Sequence, residues 1–116
     1  MHPDDRRQVV GRWRVRGVVS NHGGRQVGRR ARRLPAVVAT VGDRADVLFD
    51  SGIRTGSDML IALVLGAKAV LYGRPWAYVL GIAGREGVRH ALRVLLADFD
   101  AAMGLSGCAS PAELAR

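Results

Sequence analysis

The stretch that decides the fold is DVLFDSGIRTGSDMLIALVLGAKAVLYGRP, residues 46–75. Asp46–Asp50 is a short apolar run that ends in an acid. Ala69–Tyr72 is a second short apolar run. Both runs are typical of buried parallel strands. The segment between them has helix-capping residues at its start and a glycine at its end. Strand, helix and strand joined by short loops predict a right-handed βαβ unit with a parallel sheet.

The alternation of strand and helix continues on both sides of this stretch. Val15–Ser20 is predicted as a strand that runs into a glycine turn, and Leu34–Val41 as a helix. Ser57 and Asp58 are predicted to cap the helix of the central stretch. The segment 73–75 is predicted as a turn before a long amphipathic helix, whose apolar residues recur at steps of 3, 4 and 7. These apolar residues are Val88, Leu92, Leu95, Leu96, Phe99 and Met103.

Three strands are too few to close a barrel, and they leave unpaired edges. A length of 116 residues allows one small domain and no second one. We therefore expect residues 1–116 to form a single α/β unit that is a piece of a larger parallel-sheet architecture. Without neighbouring strands, the isolated chain should associate, aggregate or stay partly molten.

The basic charge is concentrated in the first third of the chain. The sequence has 18 Lys and Arg residues against 10 Asp and Glu, a net charge of +8, yet the part after residue 33 is neutral. A nucleic-acid-binding module that uses the arginine-rich first third is therefore an alternative function. The arginines before residue 34 are Arg6, Arg7, Arg12, Arg14, Arg16, Arg25, Arg29, Arg30, Arg32 and Arg33.

Several other classes of protein and site are disfavoured. The longest apolar run, Met59–Leu65, is far shorter than a membrane span, and the N-terminal residues lack the apolar segment of a secretory signal. Cys108 is the only cysteine, so no internal disulfide is predicted, and no Cys and His cluster has zinc-ligand spacing. We expect a cytoplasmic protein that binds neither a membrane nor a metal ion.

Glycine-rich polar segments follow all three predicted strands, and the first is SNHGGR at residues 20–25. The chemistry of α/β folds is carried by the carboxyl ends of the strands. His22 can accept a proton near neutral pH, and Arg25 can bind a carboxylate through two parallel hydrogen bonds. A base beside a carboxylate clamp suits attack at the carbon next to that carboxylate. The alternative is an ordinary loop histidine and a solvated arginine.

The other two segments are DSGIRTG at residues 50–56 and GRP at residues 73–75. Glycine turns after strands expose backbone N–H groups, and Arg54 and Arg74 add positive charge, which together predict a phosphate site. In barrels the loops after the last two strands commonly form such a site. The alternative is that these glycines serve only the turns.

The motifs SNHGGRQ, DSGIRTG, ALVLGAKAV and GRPW occur in the order found in the FMN-dependent 2-hydroxy-acid oxidases and dehydrogenases, which this chain strongly resembles. The resemblance runs from residue 2 to residue 108. The serine of DSGIRTG, together with GRPW, is similar to lactate 2-monooxygenase-like members. The family fold implied is α/β, a partial TIM (β/α)8 barrel that comprises the C-terminal strands six to eight with their helices.

The resemblance also implies a function. The chain would belong to an FMN-dependent enzyme that oxidises a small, lactate-like L-2-hydroxy acid to the 2-oxo acid. His22 matches the catalytic base, and Arg25 matches the residue that binds the substrate carboxylate. Asp50 also suits the orientation of the imidazole. The implied FMN-binding residues are Ser20, Asp50, Ser51, Gly52, Ile53, Arg54, Gly73 and Arg74.

Two arginine-rich segments depart from the family pattern. GRWRVRG at residues 11–17 and VGRRARR at residues 27–33 stand where members have other, partly acidic residues, and the first five strands of the barrel have no counterpart. We expect these segments to arise from local reading-frame shifts. A nonfunctional truncated product is a further alternative, and a second copy or a polypeptide that completes the barrel is an expected partner.

Overall fold

The computed structural model describes residues 17–20, 33–41 and 44–115. Strands and helices alternate along this part of the chain, as predicted. The strands are β1 (Gly17–Val19), β2 (Val47–Asp50) and β3 (Ala69–Leu71). The helices are α1 (Leu34–Val41), α2 (Gly56–Val64), α3 (Arg74–Leu105) and a final 3₁₀ turn (Pro111–Ala115).

The three strands form one parallel sheet in the order β1-β2-β3. Val18 lies beside Leu48 in the first pair, and Asp50 lies beside Leu71 in the second. Neighbouring strands in a sheet are about 4.8 Å apart. Because all three run in the same direction, the residues that follow their carboxyl ends meet at one edge of the sheet.

The two faces of the sheet are covered to different extents. Val19, Val47 and Phe49 are buried in a cluster that includes three apolar residues of α1, Leu34, Val37 and Val41. On the opposite face, Val18 is 37% exposed and Leu71 is 42% exposed. The prediction that β3 is a buried strand is therefore wrong, because no element of the described ranges lies over that face.

Helix α2 begins at a different cap from the one predicted. The N-cap is Thr55, whose Oγ1 accepts a hydrogen bond from the Asp58 N–H at 3.2 Å. The Asp58 carboxylate in turn accepts from the Thr55 N–H at 3.0 Å. This reciprocal pair is a capping box, so Asp58 takes part as the third helical residue and Ser57 is not the cap. Gly66 follows the helix with a φ of 98°, which suits a terminating glycine.

Helix α3 begins earlier than the sequence indicated. The segment predicted as a turn provides its first residues, with Pro75 in the first turn, where a missing N–H costs no hydrogen bond. The backbone leaves the helical region at Ala83 and Gly84, and Gly84 has a φ of 57°. A short first segment, 74–82, is thereby separated from a longer second segment.

The buried face of the second segment is narrower than predicted. Leu95, Phe99 and Met103 are buried, and the last two pack with residues of α2 and of the 3₁₀ turn. Leu92 and Leu96, predicted for the same face, are 41% and 53% exposed. Packing against α2 covers only the centre of the apolar face of α3. No described element covers Leu92 and Leu96 at the side of that face.

Helices α2 and α3 approach each other very closely at Gly56. A Cβ atom on this residue would lie 2.0 Å from the backbone nitrogen of Phe99. The backbone N–H of Gly56 also donates a hydrogen bond to the Asp98 carboxylate on α3. The contact therefore requires glycine, and it fixes the start of α2 against α3.

Gly56→Ala is expected to destabilise the fold by about 3 kcal/mol or more, because backbone atoms cannot move aside as a flexible side chain can. Gly104→Ala is the matched control, since a Cβ there meets nothing within 4 Å and alanine favours a helix by about 1 kcal/mol. Thermal unfolding followed by circular dichroism measures both. Equal midpoints for the two variants would contradict the close approach at Gly56.

The purified chain is expected to associate, because each large apolar side chain left exposed forgoes about 1.5–3 kcal/mol of burial. Val18→Glu should reduce association, whereas Ala101→Glu, on the exposed side of α3, should not. Light scattering after gel filtration gives the mass of each variant. A monomer with a cooperative unfolding transition would contradict this expectation.

Candidate functional site

Asp50 links the carboxyl ends of two strands. Ser20, which follows β1, donates a hydrogen bond through Oγ to Asp50 Oδ2, and Ser51 Oγ donates to the same oxygen at 3.0 Å. Hydroxyl groups that donate to a carboxylate form charge-assisted hydrogen bonds. These bonds fix the orientation of the Asp50 side chain at the edge of the sheet.

The chain turns sharply after Asp50. Ser51 has a φ of 86° and Gly52 a φ of 92°. A left-handed conformation costs a residue with a Cβ about 1 kcal/mol, and the hydrogen bond from Ser51 to Asp50 offsets part of that cost. The turn leads into Ile53, which is buried in the core cluster, so the loop is anchored at both ends.

A cavity of about 550 Å³ opens at this edge, between the loop after β2 and the start of α3. This volume lies within the usual range of about 300–1,000 Å³ for small-molecule sites. Arg54 and Arg74 line it from the two loops, and with Asp50 they give the lining a net charge of +1. Its lining consists of Asp50, Ser51, Gly52, Ile53, Arg54, Leu71, Gly73, Arg74, Pro75 and Tyr78.

The two helices that begin beside the cavity differ in how their first N–H groups are used. At α2, the Arg54 and Thr55 N–H groups each donate to Asp58 at 3.0 Å, and that of Gly56 donates to Asp98. At α3, the N-cap is Gly73, which makes no side-chain capping bond. Because the protein's own carboxylates accept hydrogen bonds from the N–H groups at the start of α2, the start of α3 is the better anion site of the two.

The structure brings together most of the predicted cofactor residues. All of them except Ser20 line the cavity, and Ser20 contacts it through Asp50. His22 and Arg25, predicted as base and carboxylate ligand, lie outside the described residues. So do the arginine-rich segments, apart from Gly17 in β1 and Arg33, which is exposed.

Tyr78 is a cavity residue that the sequence reasoning missed. It is 65% exposed and lines the cavity. Tyr78 lies four residues after Arg74, and residues four apart share one face of a helix. That spacing would have identified it once the GRP segment had been recognised as helical.

We also searched residues 17–20, 33–41 and 44–115 for metal sites, free thiols and membrane-spanning helices. No group of His, Cys, Asp and Glu residues there could hold a metal ion. Cys108 is a half-buried free thiol in the same part of the chain. Among these residues there is also no helix with the length and apolar character that crossing a membrane requires.

Residues 1–116 match the FMN-dependent dehydrogenase family over their whole length. This chain belongs to that family. It is 48% identical to the FMN-dependent alpha-hydroxy acid dehydrogenase qulF of Penicillium citrinum, over 99% of this chain and 29% of that protein. It is 46% identical to an L-lactate dehydrogenase of Azorhizobium caulinodans, over 100% of this chain and 31% of that protein.

Solved structures agree with this assignment. A variant of mandelate oxidase that carries a monooxide FMN adduct is 43% identical, with a TM-score of 0.88 over 98% of this chain and 37% of its own. Another mandelate oxidase variant, with 2-hydroxy-phenylacetamide, has a TM-score of 0.89 over 99% of this chain and 35% of its own. The predicted fold is thereby confirmed as part of a TIM barrel.

The chain spans between 29% and 37% of the length of these relatives. Members of the family are FMN-dependent oxidoreductases of small 2-hydroxy acids, and FMN is the family cofactor, as the resemblance implied. The residues of the cavity fit this group. Two guanidinium groups and an uncapped helix start suit its phosphate, and the Asp50 carboxylate can accept hydrogen bonds from hydroxyl groups.

Proposed function

We propose that this chain supplies the FMN phosphate cradle, the general base and the substrate-carboxylate ligand of an enzyme that oxidises a lactate-like L-2-hydroxy acid. The observation that carries the proposal is the cavity between β2 and α3. Its position after two successive parallel strands is typical of phosphate sites in barrels, which use these loops and the start of a short extra helix. The segment 74–82 corresponds to such a helix.

The cradle would hold the phosphate between two walls. Arg54 and Arg74 would form charge-assisted hydrogen bonds with the phosphate oxygens, and the start of α3 would add its partial positive charge. Asp50 stands at the strand end of the same cavity, where a second negative charge is unfavourable. The phosphate is therefore expected on the side of the two arginines, with the neutral part of the cofactor towards Asp50.

The base and the carboxylate ligand would act from the segment after β1. Bound FMN supplies a two-electron acceptor for the hydride equivalent of the substrate. His22 would take the proton, and Arg25 would hold the substrate carboxylate through two parallel hydrogen bonds. The proximity of this segment to the cavity is supported by the hydrogen bond from Ser20 to Asp50, since His22 is two residues beyond Ser20.

The apolar sheet face would be covered by the rest of the barrel. Val18 and Leu71 are exposed on that face, and strands β1 and β3 each have one edge that no described strand pairs with. Parallel sheets occur almost only with both faces covered. We propose that residues 1–116 act as one unit within such an assembly, whether a second copy or a complementary barrel segment completes it.

Arg54→Ala and Arg74→Ala are each expected to weaken FMN binding by about tenfold to a hundredfold, the range for losing a hydrogen bond to a charged group. Riboflavin lacks the phosphate, so its affinity should change little. Flavin fluorescence titration measures both ligands.

Arg93→Ala is the matched control for these two variants, because Arg93 is an exposed arginine on α3 that does not line the cavity. Its affinity for FMN should equal that of the unaltered chain. Equal affinity of the unaltered chain for FMN and riboflavin would contradict the phosphate cradle. Salt-sensitive DNA binding without flavin binding would favour the nucleic-acid-binding alternative.

His22→Gln is expected to slow bleaching of bound flavin by L-lactate about a hundredfold or more, the usual contribution of a general base, while FMN affinity is retained. Arg25→Lys should instead raise the L-lactate concentration needed for half-maximal bleaching, because lysine cannot form the two parallel bonds. The bleaching of both variants is measured from the absorbance of the oxidised flavin. Unchanged bleaching by His22→Gln would contradict its role as base.

A further inference from the structure

Three consecutive backbone N–H groups precede or begin α2, and each donates to an aspartate. Those of Arg54 and Thr55 donate to Asp58, in the first turn of α2. That of Gly56 donates to Asp98, which lies 42 residues further along the chain on α3. Asp98 is therefore the long-range partner in this set of bonds.

The loop before these N–H groups forms one wall of the cavity. Residues 51–54 run from the sharp turn after β2 to the start of α2, and they include the Arg54 side chain. The strand end of the loop is fixed by hydrogen bonds to Asp50. The helix end is fixed by the capping box and by Asp98, so the position of Arg54 depends on both ends.

The two aspartates form no ion pair with the arginine that the loop presents. Within the described ranges, neither Asp58 nor Asp98 comes within ion-pair distance of the Arg54 guanidinium. Asp98 Oδ2 instead accepts the Gly56 N–H, and a charge-assisted bond of this kind is stronger than a neutral one. The loop is thereby held while its positive charge stays available to an anion.

We infer that Asp98 is a positioning residue for the phosphate cradle, an inference that rests on the proposed function. Asp98 does not line this cavity; it lines a second one together with Arg54 and Thr55, and its hydrogen bond to the loop is made to the Gly56 N–H. The absence of a Cβ at Gly56 lets the two helices come close enough for this bond. Removing the carboxylate should loosen the loop at its helix end and misplace Arg54, with β2 and α1 unaffected.

Hydrogen exchange of the full chain tests this inference without any flavin. In Asp98→Ala, the amides of residues 54–56 are expected to exchange at least about tenfold faster, whereas those of β2 and α1 keep their protection. Asp98→Asn retains a side-chain oxygen and should restore most of the protection. Asp100→Ala is the matched control, because Asp100 is exposed on the same helix and should leave all amides unchanged.

Flavin titration provides the second readout. Asp98→Ala should bind FMN about tenfold more weakly, and riboflavin with unchanged affinity. Faster exchange throughout the chain, or an equal loss of affinity for FMN and riboflavin, would overturn the inference. In either case Asp98 would support the fold in general. If the unaltered chain does not prefer FMN to riboflavin, the proposed cradle fails, and the local exchange at residues 54–56 still decides whether Asp98 orders the loop.

Discussion

The parallel register of the three strands is the constraint on which the rest of the structure depends. It places Asp50 beside Leu71 and lets Ser20 donate to Asp50, so the residues that follow separate strands share one edge. A slip of one residue in β2 would turn Asp50 towards the apolar cluster and Phe49 away from it. The burial of Val47 and Phe49 therefore fixes not only the core but also the direction in which the site residue points.

The capacity of each helix start to bind an anion depends on whether its backbone N–H groups already donate to a side chain of the protein. The start of α2 is satisfied by Asp58 and Asp98, and the start of α3 has no such side chain at Gly73. Two helix ends at the same edge thus have different capacities for an anion. The arginines that flank the cavity, one from each loop, add positive charge at both helix starts and leave this difference unchanged.

The family resemblance implied most of the cofactor residues. Motifs and periodicity predicted the parallel sheet, the helix at Leu34–Val41 and a phosphate site with Arg54 and Arg74, because the carboxyl ends of parallel strands meet at one edge of a sheet. They failed where tertiary packing decides. Thr55 is the cap because it lies three residues before Asp58, and Leu92 is exposed because α2 covers only part of the apolar face of α3. Neither the close approach at Gly56 nor the role of Tyr78 could be seen before the helix positions were known.

The central claim is that the carboxyl ends of β2 and β3 jointly hold the anionic end of the cofactor. Mapping the backbone amide shifts of the ¹⁵N-labelled chain on addition of FMN tests it most directly. Shifts centred on residues 50–54 and 73–78 are the predicted result. Shifts confined to the second segment of α3, or to the arginine-rich first third, would contradict the claim.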